Sequence, residues 1–183
     1  MAGPVADVVV VAAGRSSRMD GVDKLASPIA GRPVLDWAVA AFTETPGVDR
    51  IVIVTAPDRV AELGTASWLP PRAVVVAGGE RRQESVAAGV AEIERTGAPA
   101  DRVVLVHDGA RPAVRADLVA RVVDAVVAHG AAIPVLPVVE TLKRIEGGTV
   151  AGTVEREGLG VAQTPQGIRL DLLRQAYRRF PPG

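Results

Sequence analysis

Short runs of wholly apolar residues, each followed by a helical pattern, constrain this chain more than any other feature. Val8–Ala12 is apolar at every position rather than at alternate ones, so it reads as a strand buried on both faces. Ile51–Val54, Val74–Val76, Val103–Val106 and Ala132–Leu136 read as further strands. Between them lie helical patterns. Pro33–Phe42 puts Val34, Ala38, Ala41 and Phe42 on one face, with proline at the first turn. Pro57–Leu63 reads as a short helix, and Arg82–Arg95 carries Val86, Val90 and Ile93 at i, i+4 and i+7. Leu118–Val127 reads as a helix capped by Asp117 and closed by His129 and Gly130. Arg169–Phe180 closes the series with Leu172, Leu173 and Ala176 as its apolar stripe. Strands alternating with helices make βαβ units. The expected fold is therefore α/β, with a mainly parallel sheet covered by helices on both faces.

The 183 residues show no repeat and no low-complexity linker, which fits a single domain, 1–183. One stretch breaks the alternation. Glu140–Ile145, Gly147-Gly148 and Thr149–Arg156 read as a polar hairpin that buries little of its own surface. It is expected to project as an arm, about residues 138–160, and to pair with another subunit.

Composition narrows the chemistry. No cysteine is present, so there is no disulfide scaffold, thiolate metal site or cysteine nucleophile. Lys+Arg and Asp+Glu balance at 21 each, which argues against a nucleic-acid binder. The longest apolar run, Val8–Ala13, is too short for a membrane span, and no basic segment precedes it as in a signal peptide. The expected location is the cytoplasm. Lys24 and Lys143 are the only two lysines among the 21 basic residues. A chain that otherwise uses arginine can keep lysine where a compact point charge is needed, or by chance on the surface.

In an open parallel sheet, ligands sit beyond the carboxyl ends of the strands. Three such ends carry suitable residues. The first is Ala12-Ala13-Gly14-Arg15-Ser16-Ser17-Arg18-Met19, followed by Lys24. It matches neither a P-loop nor GxGxxG, but it joins small residues to three cations, as a polyphosphate cradle does. A solvated basic loop eased by Asp20 and Asp23 is the bland alternative. The second is Gly78-Gly79-Glu80-Arg81-Arg82-Gln83-Glu84-Ser85, where main-chain groups and the Ser85 hydroxyl suit a base edge. An ordinary strand-to-helix turn would look similar. The third is Val106-His107-Asp108-Gly109-Ala110-Arg111-Pro112. Asp108 suits a magnesium ligand, Arg111 a phosphate clamp, and His107 a packing or hydrogen-bonding role ahead of a catalytic one.

Together, AAGRSSRM with Lys24, GGERRQESV, VHDGARP, ETLKR, TVEREGL and QTPQG resemble the 2-C-methyl-D-erythritol 4-phosphate cytidylyltransferases of non-mevalonate isoprenoid synthesis. The motifs run in family order from about Val8 to Phe180. The resemblance implies a Rossmann-like nucleotidyltransferase fold, CTP as substrate, Mg2+ as cofactor and a homodimer with exchanged arms. It places Arg18 and Lys24 as transition-state cations, with Arg156 as the arm's catalytic arginine. Ala12, Ala13, Gly14, Gly79, Glu80 and Ser85 fall at CTP-binding positions, and Gly109 at the ribose. Asp108 falls at the metal position, and Arg111, Thr141 and Arg156 at the sugar phosphate. Glu80 and Glu140 lengthen acidic positions of the family, and Gly109 replaces a common alanine. The family continues into a further strand with a phosphate-binding lysine, so the chain is expected to be a fragment or to have a further tail. A cytidylyltransferase for ribitol 5-phosphate, or another polyol phosphate, would share the nucleotide half. A non-catalytic nucleotide-binding module is the remaining alternative.

Overall fold

The structure is a computed structural model that describes residues 6–14 and 23–182. Its strands and helices begin with β1 Ala6–Ala12, β2 Pro28–Ile29, β3 Arg32–Pro33, α1 Val34–Glu44 and β4 Val48–Thr55. A 3-10 turn at Pro57–Arg59 leads into α2 Val60–Gly64, then β5 Ala73–Ala77, α3 Arg82–Arg95, β6 Val103–Asp108 and α4 Ala116–His129. The rest comprises β7 Ala131–Ala132, β8 Val135–Pro137, β9 Lys143–Glu146, β10 Thr149–Thr153, β11 Gly160–Ala162, β12 Gln166–Arg169 and α5 Leu170–Arg179.

The central sheet has the order β5-β4-β1-β6-β12-β7. Strands β5, β4, β1 and β6 are parallel, while β12 runs antiparallel to β6 and β7. The chain leaves β1 toward β4 and β5, then crosses back to β6 on the other side of β1. Strand order therefore reverses at β1, which opens a crevice at its carboxyl end. Alternate residues of β1 face opposite layers. Val8 and Val10 pack with Leu35, Val39 and Phe42 of α1 and Val122 and Val126 of α4. Val9 packs with Val86, Val90 and Ile93 of α3 and with Leu170. Each buried valine is worth about 1.5–3 kcal/mol by transfer, which is why the continuous apolar run forms the middle of the sheet.

Three expectations are corrected. The run Ala132–Leu136 is not one strand: Ala131–Ala132 joins the central sheet, while Val135–Pro137 pairs with β11. Pro134 lies between them and has no N–H for a ladder, so the run divides there. Asp117 does not cap α4. Its carboxylate accepts from Arg115 Nε at 2.8 Å, and the helix begins at Ala116. The packed face of α5 is Leu170, Leu173 and Tyr177, and Ala176 is exposed. Docking against the α3 side of the sheet sets this phase, since α5 starts directly after β12 with Leu170 buried.

The projecting hairpin is present as β9 and β10, joined by Gly147 and Gly148 at φ 55° and 81°. Two successive positive φ values suit the tight turn that matches strand twist. Among the described residues, no helix is long and apolar enough to cross a membrane.

Candidate functional site

Three segments converge on the crevice. The first is the end of β1, Ala12–Gly14; Ala12 is buried and Gly14 is exposed with open space around its Cα. The second is the turn from β5 into α3. Its placement depends on two close approaches. At Gly89, a Cβ would lie 2.5 Å from Val9 Cγ1, so only glycine lets α3 press this closely on β1. One helical turn earlier, Ser85 is thereby buried against the crevice floor, at 1% exposure. At Gly78, a Cβ would meet Ser85 Oγ at 2.6 Å, Ala13 Cβ at 2.9 Å and Val54 Cγ1 at 2.9 Å. Gly78 is thus where the first loop, β4 and α3 touch. Its N–H donates to Thr55 O at 2.7 Å, and the Ser85 hydroxyl donates to Gly79 O at 3.3 Å. The turn is closed by Glu84, whose carboxylate accepts from Arg81 N–H at 3.2 Å and Arg81 Nε at 2.7 Å. These contacts hold the Glu84 carboxyl below its usual range. Glu80 lies on the same turn, in an exposed bend.

The third segment is the end of β6. Asp108 is a hub there. Its Oδ1 accepts from Arg82 Nη2 at 2.8 Å and Nε at 3.1 Å, and its Oδ2 from Arg111 Nε at 3.2 Å. Burial pushes the Asp108 carboxyl up, but the Arg82 and Arg111 guanidiniums outweigh it and hold the group below the usual carboxylate range. Arg111 also reaches Gln163 Oε1 with Nη1 at 2.7 Å. The hub therefore links the start of α3 to the loop before β12. Gly109 follows, its N–H donating to Val11 O at 2.9 Å and fixing β6 beside β1.

His107 belongs to the scaffold. It is fully buried, edge-on to Phe42 with ring centroids 5.1 Å apart. Its Nε2 pairs with Arg111 O at 3.1 Å and its Nδ1 with Thr164 Oγ1 at 2.8 Å. Burial lowers its pKa to about 4, so the ring is neutral at physiological pH.

The remaining positions divide. Lys24 lies on a half-buried turn just after the first loop, and Arg15 and Arg18 lie outside the described residues. Asp23 meets Arg59 at 2.5 Å, a partner the sequence reading did not name. Thr141 and Arg156 stay on the arm. Arg156 donates to Val139 O, and no hydrogen bond or ion pair among the described residues brings either one to Asp108. Sequence reasoning also missed Arg82, Gln163 and Thr164. Arg82 opens α3 immediately after the glycine turn and faces a strand-end aspartate, and the other two lie within QTPQG. Their positions inside the GGERRQESV and QTPQG motifs were the available signal.

This arrangement can hold an anion rich in oxygen. The Arg82 and Arg111 guanidiniums meet at Asp108, and the main chain at Gly14 is exposed at the end of β1. A magnesium ion also fits its donor set. Asp108 is ionised and hard, and its oxygens have lone pairs beyond those the arginines use. No cluster of three acidic or histidine groups occurs among the described residues.

Comparison with known proteins agrees with this geometry. The sequence profile described as 2-C-methyl-D-erythritol 4-phosphate cytidylyltransferase, IspD, matches residues 6–181. A bifunctional enzyme IspD/IspF of Solidesulfovibrio magneticus is 41% identical over 95% of this chain and 46% of its own length. The chain thus spans about half of that bifunctional relative. A 2-C-methyl-D-erythritol 4-phosphate cytidylyltransferase of Cereibacter sphaeroides is 41% identical over 96% of this chain and 77% of its own. The crystal structure of the Thermus thermophilus protein of that name superposes with a TM-score of 0.70 at 37% identity, covering 96% of this chain and 76% of that one. With the profile spanning nearly all of the chain, and a relative 41% identical over 96% of it, this chain belongs to the 2-C-methyl-D-erythritol 4-phosphate cytidylyltransferase (IspD) family.

Proposed function

We propose that the protein transfers CMP from CTP to 2-C-methyl-D-erythritol 4-phosphate, releasing pyrophosphate and giving CDP-methylerythritol for non-mevalonate isoprenoid precursor synthesis. The observation that carries this reading is the Asp108 hub: an ionised carboxylate held by Arg82 and Arg111 where β6, β1 and the start of α3 meet. The chemistry it serves needs charge control more than proton transfer. An oxygen of the acceptor phosphate forms a bond to the α-phosphorus of CTP, and the bond from that phosphorus to the α–β bridging oxygen breaks. Pyrophosphate leaves with the electron pair. The attacking phosphate is already ionised at neutral pH, so no general base is required. His107, buried, neutral and engaged at both ring nitrogens, is unsuited to that task and is not needed for it.

The chain's own residues take the following parts. Ala12–Gly14 and Gly79 receive the nucleotide through the main chain, and Ser85 and Glu80 border the base. Lys24, with Arg18, offsets the charge that grows as the two phosphates meet. Arg111 positions the acceptor phosphate. Asp108 would hold Mg2+, which when bound supplies further neutralisation of the triphosphate. Thr141 and Arg156 complete the acceptor site of a second copy. In support of that, the arm exposes Val139, Ile145 and Val150 at 58–70% of their surface, a face that a second chain can cover. The implied compartment is the cytoplasm.

The test is pyrophosphate release from CTP and Mg2+ across several polyol phosphates. Saturable release with methylerythritol phosphate supports the reading. Release with ribitol 5-phosphate alone assigns a different acceptor, and CTP binding without turnover on any acceptor leaves a nucleotide-binding module.

A further inference from the structure

The turn that carries Lys24 is anchored from outside the crevice. Asp23, the residue before it, is bound from three sides. Its Oδ1 accepts the N–H of Leu25 at 2.9 Å, and its carbonyl oxygen accepts the N–H and hydroxyl of Ser27 at 3.0 and 2.9 Å. Its Oδ2 meets Arg59 Nη1 at 2.5 Å. Arg59 ends the 3-10 turn beyond β4, with its Nε 3.6 Å from Glu62. On the other side, Leu25 O and Ser27 O accept the N–H groups of Leu35 and Val34 at 3.1 and 3.0 Å, tying the turn to α1. Beneath it, Leu25, Leu35, Leu63 and Trp68 line, with Arg59, a cavity of about 120 Å³. The Arg59–Asp23 pair ties the turn to the 3-10 turn at the edge of this pocket.

We infer that Arg59 is a positioning residue for Lys24: through Asp23 it fixes the main chain from which the lysine reaches the reacting phosphates. The inference rests on the role proposed for Lys24. A lysine side chain is long and flexible, so the placement of its backbone sets where the ammonium spends its time. Displacing a catalytic group by about 1 Å can cost on the order of a hundredfold in rate. Arg59 has no part in binding the base or triphosphate in this scheme, so its loss is read in turnover rather than in nucleotide affinity.

The experiment is a double-mutant cycle with kcat, KM for CTP and Tm as readouts. Arg59→Ala is expected to lower kcat by about tenfold or more, with KM for CTP and Tm little changed. Arg59→Lys should restore most of the loss. In a Lys24→Ala background, Arg59→Ala should cost nothing further, because it acts only through that lysine. If Arg59→Ala fails to fold, Asp23→Asn carries the test: it keeps an oxygen for Leu25 N–H, discharges the partner of Arg59, and should lower kcat in the same sense. Unchanged kcat in these variants, or an equal loss with and without Lys24, would overturn the inference while leaving the proposed reaction intact. Full turnover by Lys24→Ala would instead remove Lys24 from the proposed mechanism and the inference with it.

Discussion

Gly78→Ala is the sharpest single perturbation of the crevice. The added Cβ would lie 2.6 Å from Ser85 Oγ and 2.9 Å from both Ala13 Cβ and Val54 Cγ1, where ordinary contacts begin near 3.4 Å. Three different elements surround the site, so no single side-chain rotation relieves all three contacts. The Gly78 N–H bond to Thr55 O, at 2.7 Å, further limits retreat of the turn. Overpacking of this kind costs about 1–3 kcal/mol, and we take about 2 kcal/mol here. For a domain of this size that corresponds to a fall in Tm of roughly 4–8 °C. The turn must also shift at Ser85, so KM for CTP should rise along with the loss of stability. Gly64→Ala is the matched control: nothing lies within 4 Å of its added Cβ, and it sits at the end of α2, where alanine is expected to leave Tm equal or slightly raised. Thermal denaturation and CTP kinetics on both variants decide the matter. Equal Tm values and an unchanged KM in Gly78→Ala would refute the claim that this contact sets the crevice.

Other outcomes follow from the same geometry. His107 titrates near 4 in the folded protein against about 6.5 when unfolded, so its contribution to stability is present above pH 6.5 and lost as pH falls toward 4, by about 3 kcal/mol; denaturant unfolding across that range should show the slope, and His107→Gln should flatten it. Lys24→Ala should lower kcat far more than it weakens CTP binding, as rate and calorimetric titrations would show. Mixing Lys24→Ala chains with Arg156→Ala chains should restore activity through one shared site per heterodimer; no recovery despite proven subunit exchange would mean that each arm serves its own subunit.

The layout of the fold was legible because its cause is local. Val8–Ala12 is apolar at every position, as a strand covered on both faces requires. Arg82–Arg95 was readable to its ends, since Val86, Val90 and Ile93 mark one face and the glycine pair marks its start. β12 was not readable. Gln166-Gly167-Ile168-Arg169 has one strand-forming side chain, and its conformation comes from pairing with Val103–Val106 of β6, a tertiary effect that propensity does not carry. The Asp108 site was half readable for the same reason. Asp108 and Arg111 lie in one motif, three residues apart. Arg82 and Gln163 reach them from 26 and 52 residues away, respectively, and only the folded chain brings them together.

Phosphorus NMR of the reaction gives the clearest test of cytidylyl transfer at this crevice. With CTP, Mg2+ and methylerythritol phosphate, a new pair of coupled pyrophosphate-diester signals should grow in step with free pyrophosphate, and Lys24→Ala should suppress it. Release of pyrophosphate with CMP in place of the diester, or no consumption of CTP, would contradict it.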